Sequence, residues 1–215
     1  MSNKNDDRLR KLEVRLAKEL PHIIAFFEQV AGFNIDNPGF KLSKDVKDVE
    51  WYTNSTIFIN PSYMPKNERI SYKAMLAHGY FHHVQYVLFK FYENEDIKNK
   101  ISVDLAPEKL SDLINNFLES SAMFFAIVYI TKGLSGRART DKIMKYLKSK
   151  SYTPRKGKFY GGNGIILFAY SKNGYDIKKT LKQILSAHRS IHIMRNGCYK
   201  ARLYAQVLSL PRLKK

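Results

Sequence analysis

The chain has 215 residues, of which 44% are hydrophobic and 13% aromatic, enough for one hydrophobic core and too many for a largely disordered protein. It carries 37 Lys and Arg against 19 Asp and Glu, which gives a formal net charge of +18, and the excess lies mainly after residue 132. The single cysteine, Cys198, excludes a disulfide framework and favours a reducing compartment.

The positive charge has two open interpretations. A charge of this size attracts nucleic acid, acidic proteins or anionic membranes, but it also arises on an ordinary solvated surface. No zinc-finger spacing, RNA-binding strand signature or Gly-x-x-Gly clamp indicates a dedicated nucleic-acid module. The charged N-terminus lacks the apolar stretch of a signal peptide, and the longest apolar run, residues 122–130, is too short to span a bilayer. We therefore expect an intracellular (cytoplasmic) protein without a membrane partner.

Taken in chain order, the pattern predicts a mainly helical α+β fold. A helical stripe over residues 8–30 contains Pro21, which should kink or divide that helix. Short strands are expected at 40–49 and 56–59, forming a small sheet on the N-terminal side. Further helices are predicted at 70–92, 107–130, 141–148, 165–171, 176–188 and 199–208, with a Gly-rich loop at 156–164. We expect a single domain over 1–215, with an N-terminal helix (8–30), a core (about 50–187) and a basic C-terminal segment (188–215).

The strongest chemical signal is a pair of histidines in the predicted helix 70–92. His78 and His82 lie four residues apart, so both imidazoles project from one face of the helix and can reach one metal ion. The spacing is that of the His-Glu-x-x-His motif of zinc proteases, in which the glutamate is the general base. Gly79 occupies the position of that glutamate. The sequence therefore predicts a metal site that lacks the general base.

A zinc site of this kind needs a third protein ligand, and Glu119 is the best candidate. It lies within an apolar stretch of the predicted helix 107–130, and glutamate is seldom buried unless it is paired or bound to a metal. The small residues 120–122 that follow it would let this helix approach the histidine helix closely. Two alternatives stay open: Glu119 on a solvated face, or a helix that merely buries two histidines without any metal.

Four segments in a consistent order carry a family resemblance. They are the strand 57–60, the helix segment 75–85, the segment 118–122, and the stretch 159–174, which contains Tyr160 and several glycines. Together, over roughly residues 50–187, they resemble the gluzincins, the thermolysin-like zinc metallopeptidases of peptidase clan MA. The chain departs from that pattern at Gly79 and in the segment after residue 187.

The resemblance implies a gluzincin-like core in which His78, His82 and Glu119 hold zinc. It also implies that strand 57–60 is an edge strand that positions substrate, and that Tyr160 donates a hydrogen bond to the tetrahedral oxyanion. For Tyr160, a structural role in closing the Gly-rich loop is an equal alternative.

The implied function is a zinc metallopeptidase acting on a peptide or protein substrate, or its catalytically inactive form. Gly79 would then be either a natural loss of the base or an altered glutamate. The competing function is a basic nucleic-acid-binding or scaffolding protein on a metallopeptidase-derived fold, with weak nucleic-acid binding through the C-terminal half.

Three further histidines have less specific interpretations. His83 follows His82 directly and therefore points about 100° away around the helix, so we expect it to pack or hydrogen-bond rather than bind the metal. His188 and His192 form a second pair four residues apart, with Arg189 between them and no carboxylate or cysteine nearby. This pair predicts a basic helix face or turn in preference to a metal site.

Overall fold

The computed structural model describes residues 3–45, 50–53, 55–63, 72–89, 107–150 and 162–196. The elements are α1 (Asn3–Ala31), β1 (Gly39–Leu42), β2 (Glu50–Thr53), β3 (Thr56–Ile59), a 3₁₀ turn (Pro61–Tyr63), α2 (Tyr72–Phe89), α3 (Pro107–Ile130), α4 (Gly136–Lys150), α5 (Gly162–Lys172) and α6 (Ile177–Asn196). The prediction of a mainly helical protein with a small sheet on the N-terminal side is confirmed. The expected helix 199–208, most of the Gly-rich loop and Tyr160 lie outside the described residues.

Of the two expected effects of Pro21, a kink or a division, the division does not occur: helix α1 runs continuously through Pro21. Proline removes the amide that would bond to the carbonyl four residues earlier, at Ala17. Both Pro21 and Ala17 are exposed, so water can satisfy that carbonyl and the helix continues. The helix ends at Ala31 and is followed by Gly32, whose φ of +87° suits glycine and whose N–H bonds to the Glu28 carbonyl at 2.8 Å.

The sheet has three strands in the order β1-β3-β2. Strand β1 pairs in parallel with β3, and β2 pairs antiparallel to β3. Strand β3 is therefore the central strand, and the expectation that residues 57–60 form a substrate-positioning edge strand is wrong, because backbone groups on both sides of β3 already pair within the sheet. Of the predicted strand 40–49, β1 covers the part up to Leu42, residues 43–45 are not in a strand, and residues 46–49 lie outside the described residues. Strand β2 was not foreseen. Ile57 and Ile59 of β3 alternate into the core and are completely buried.

Helices α1, α2 and α3 form the centre of the core. The ring of Phe27 on α1 makes edge-on contacts with Tyr80 and Phe81 of α2 and with Phe125 of α3, at centroid distances of 5.7, 6.4 and 5.8 Å. The most extensive helix packing is between α2 and α3. Small side chains allow this close approach, as predicted from residues 120–122: Ser121 and Ala122 are completely buried.

Helix α6 is longer than the sequence predicted. The Asp176 carboxylate caps its first turn by accepting a hydrogen bond from the Lys179 N–H at 3.0 Å. The helix then continues to Asn196 and packs against α1, α2 and α5. His188 lies within α6 and is 0% exposed, so the expectation that it belongs to a basic helix face or turn is wrong. Among the described residues, no helix is both long enough and apolar enough to cross a membrane.

Candidate metal centre

Two imidazoles are held side by side on α2. This helix is buried on most of its surface, and its apolar residues from Ala74 to Val84 fix its orientation in the core. His78 and His82, one helical turn apart, have ring centroids 4.5 Å apart and rings at 88° to one another. Their side chains are only 14% and 8% exposed. The sequence prediction that both rings face one point is confirmed.

Helix α3 brings a carboxylate to the same point. Glu119 Oε2 lies 3.4 Å from His78 Nε2, and Glu119 Oε1 lies 3.4 Å from His82 Nε2. One ligand atom from each residue can be chosen so that all three lie within 4.8 Å of one another. A metal site of this kind needs at least three His, Cys, Asp or Glu residues close together, and among the described residues these three form the one such group.

The separations fit the requirements of a metal ligand set. Two ligand atoms at roughly 2.0–2.2 Å from a tetrahedral ion are roughly 3.3–3.6 Å apart. Each imidazole nitrogen lies 3.4 Å from one of the two Glu119 oxygens, and a set with one atom from each residue lies within 4.8 Å. The Glu119 side chain is 57% exposed, so its carboxylate can rotate to complete the convergence.

The electrostatics of Glu119 favour its ionised form. Burial of the carboxyl group acts to raise its pKa, but contacts with the imidazoles of His78 and His82 outweigh this effect. The net result is that the pKa of Glu119 lies far below its ordinary value. The Glu119 side chain is 57% exposed, so the desolvation effect is weakened and does not cancel the effect of the two imidazoles. A carboxylate that is ionised at neutral pH is the form that coordinates a cation.

A buried hydrogen-bond chain supports His82 from the side opposite Glu119. His82 Nδ1 lies 2.8 Å from Gln85 Oε1, and Gln85 Nε2 donates to the Leu118 carbonyl and to Ser121 Oγ, both at 3.0 Å. Ser121 Oγ in turn lies 3.2 Å from His188 Nε2 on α6. Neither Gln85 nor His188 was predicted from the sequence to be part of this centre. The spacing of Gln85 from His82, three residues along one helix, was a usable signal, whereas the contacts to α3 and α6 depend on the tertiary fold.

His83 lies outside the centre, as predicted. It is 1% exposed and its Nε2 hydrogen-bonds to the Asp36 carbonyl. Burial lowers its pKa, and the hydrogen bond to Asp36 offsets only part of that shift. His83 therefore anchors α2 to the segment before β1 and is not a ligand.

The predicted catalytic positions stay predictions. Gly79 lies within α2 directly after His78, is buried, and supplies no side chain to the centre. Tyr160 lies outside the described residues, and so does the side chain of His192.

No protein-family model matches this chain, no curated protein matches it, and no solved structure matches it. What the structure establishes is a mainly helical protein in which His78, His82 and Glu119 form a group able to hold a metal ion.

Proposed function

We propose that this protein is a zinc-binding relative of the metallopeptidases and that the chain, with Gly79, is catalytically inactive or nearly so. The observation that carries the proposal is the convergence of two imidazole nitrogens and one carboxylate on a single point. Two histidines, one glutamate and an open fourth position make up a catalytic zinc ligand set. Imidazole also suits copper, iron and nickel. We propose zinc because the ligand set of two histidines and one glutamate resembles that of the gluzincins.

The chain has the metal ligands that peptide hydrolysis would need, but it lacks the general base. Bound zinc would polarise the scissile carbonyl and lower the pKa of a coordinated water. His78, His82 and Glu119 would hold the ion and leave one position open. Removal of the water's proton needs a base beside His78, and Gly79 has no side chain that could accept it. Such a base typically contributes roughly 10²–10⁴-fold in rate. We therefore expect binding of zinc, and of a peptide or protein ligand, without efficient cleavage.

The test is metal binding by single-ligand variants with matched controls. Purified protein should contain close to one zinc per chain, whereas His78→Ala, His82→Ala and Glu119→Gln should each lose most of it. His22→Ala and Glu13→Gln make the same chemical changes at exposed positions of α1 and should keep the zinc. Full zinc content in all three ligand variants, or none in the unaltered chain after zinc titration, would overturn the proposal.

A second candidate is the binding of an anionic partner such as nucleic acid. An open cavity of about 680 Å³ lies between α1, the end of β1 and the start of α2, away from the metal centre; the cations that line it are Arg8, Lys11, Arg15 and Lys44. Lys11 pairs with Asp7, but no carboxylate among the described residues pairs with the other three. Unpaired cations around a cavity favour phosphate or carboxylate groups. This candidate does not require metal, so its test is independent of the first.

A further inference from the structure

Gln85 sits between the metal centre and helix α3. It is 0% exposed and follows His82 by three residues on α2. Its side-chain amide has one acceptor atom and one donor group, and each faces a different partner. The oxygen lies 2.8 Å from His82 Nδ1, and the nitrogen faces α3.

Helix α3 fixes which way this amide points. The Gln85 nitrogen lies 3.0 Å from the Leu118 carbonyl, and a backbone carbonyl can only accept a hydrogen bond. Ser121 donates its own hydrogen to the same carbonyl at 2.8 Å, so its oxygen accepts the second Gln85 N–H at 3.0 Å. A flipped amide would place two acceptor oxygens against each other. The Gln85 oxygen must therefore face His82.

The amide orientation then determines the protonation of His82. Because the Gln85 oxygen only accepts, the facing His82 Nδ1 must carry a hydrogen. In the neutral ring the lone pair is then on Nε2, which is the atom 3.4 Å from Glu119. That tautomer is the one that binds a metal ion through Nε2.

We propose that Gln85 is a positioning residue of the metal centre, which holds His82 in the Nδ1–H tautomer and aims its Nε2 at the metal. The element that sets this tautomer is the Leu118 carbonyl, one residue before the ligand Glu119. The packing of α2 against α3 thus brings Glu119 to the two histidines and also sets the tautomer of His82. The inference rests on the proposed metal binding, but the tautomer can be measured in metal-free protein.

The first measurement is the ring ¹⁵N NMR spectrum of metal-free protein near pH 8, with the His82 signals assigned from His82→Ala. The unaltered chain should show hydrogen on Nδ1 of His82. Gln85→Leu, which removes the acceptor, should lose this preference, and Gln29→Leu, the same change at an exposed position on α1, should retain it. Hydrogen on Nε2 in the unaltered chain would overturn the inference whether or not any variant folds.

The second measurement is zinc affinity of the same proteins. Loss of a hydrogen-bond partner of a ligating histidine typically weakens metal binding roughly 10–100-fold, so Gln85→Leu should lose that much. Gln29→Leu, the same change at an exposed position on α1, should bind zinc as the unaltered chain does. Unchanged affinity in a folded Gln85→Leu protein would contradict the positioning role. An unaltered chain with the Nδ1–H tautomer but no zinc binding would instead refute the proposed function.

Discussion

Burial of His188 should make the stability of this protein fall between pH 6.5 and pH 5. The imidazole is 0% exposed and packs against Phe117 and Phe81, at ring distances of 5.0 and 6.1 Å. Burial, reinforced by the charge of His82, lowers the pKa of His188 from 6.5 to about 3. In the unfolded chain the ring regains its ordinary pKa, so in this window the unfolded state binds a proton that the folded state does not.

The sign and size of the effect follow from proton linkage. The stabilising contribution of neutral His188 is fully present above pH 6.5 and is lost as pH falls from 6.5 toward about 3. Each pH unit inside this window costs about 1.4 kcal/mol. Between pH 7.5 and pH 5 the loss is about 2 kcal/mol, a large part of a total free energy of unfolding of roughly 5–15 kcal/mol. His83, whose pKa burial also lowers, adds a loss of the same sign.

The assay is urea unfolding at pH 7.5 and pH 5.0, with a chelator present so that proton competition at a metal site does not contribute. His188→Gln keeps a polar side chain but cannot titrate, so it should lose about 2 kcal/mol less stability between the two pH values than the unaltered chain. His22→Ala, which removes an exposed histidine, should behave like the unaltered chain. Equal losses in the unaltered chain and His188→Gln would refute the reasoning, because His188 would then titrate alike in the folded and unfolded states.

Three further experiments have defined expected outcomes. Gly79→Glu supplies the missing base and should create zinc-dependent peptide cleavage or raise it by roughly 10²–10⁴-fold. Adding His78→Ala to this variant should abolish the cleavage. If the unaltered chain cleaves peptides equally fast, the base must lie elsewhere. Binding to duplex DNA should be weak, independent of sequence and steeply reduced by salt, and no binding at low salt would dispose of the nucleic-acid alternative. Tyr129→Phe removes the hydroxyl that donates to the half-buried carboxylate of Glu19. It should lower the free energy of unfolding, measured in urea, by roughly 1.5–3 kcal/mol. An unchanged unfolding midpoint would show that water replaces the bond.

The parts of this fold that could be predicted from the sequence depend on local periodicity. Helix α3 has the predicted bounds, 107–130, because its apolar repeat starts after a proline and stops before Gly133. The pairing of His78 with His82 follows from helix geometry alone. Their convergence with Glu119 was predicted because a single carboxylate interrupts an apolar stretch.

The errors concern interactions between distant segments. The central position of β3 depends on its pairing with β1 and β2, and no pattern inside residues 56–59 reveals which strands are its neighbours. His188 was assigned to a basic face because Arg189 follows it, whereas the ring points to Phe117 and Ser121 on α3. The Gln85 chain joins α2, α3 and α6, and its geometry exists only after these helices pack.

X-ray absorption at the zinc edge would show whether His78, His82 and Glu119 together bind one zinc ion. Zinc-loaded protein should show imidazole scattering from two histidines and oxygen scattering, with first-shell distances of roughly 2.0–2.2 Å. His78→Ala, which loses most of its zinc, should lose the two-imidazole signal, and the control His22→Ala should keep it. A zinc ion surrounded only by oxygen, or a spectrum that His78→Ala leaves unchanged, would show that these three residues are not the zinc ligands.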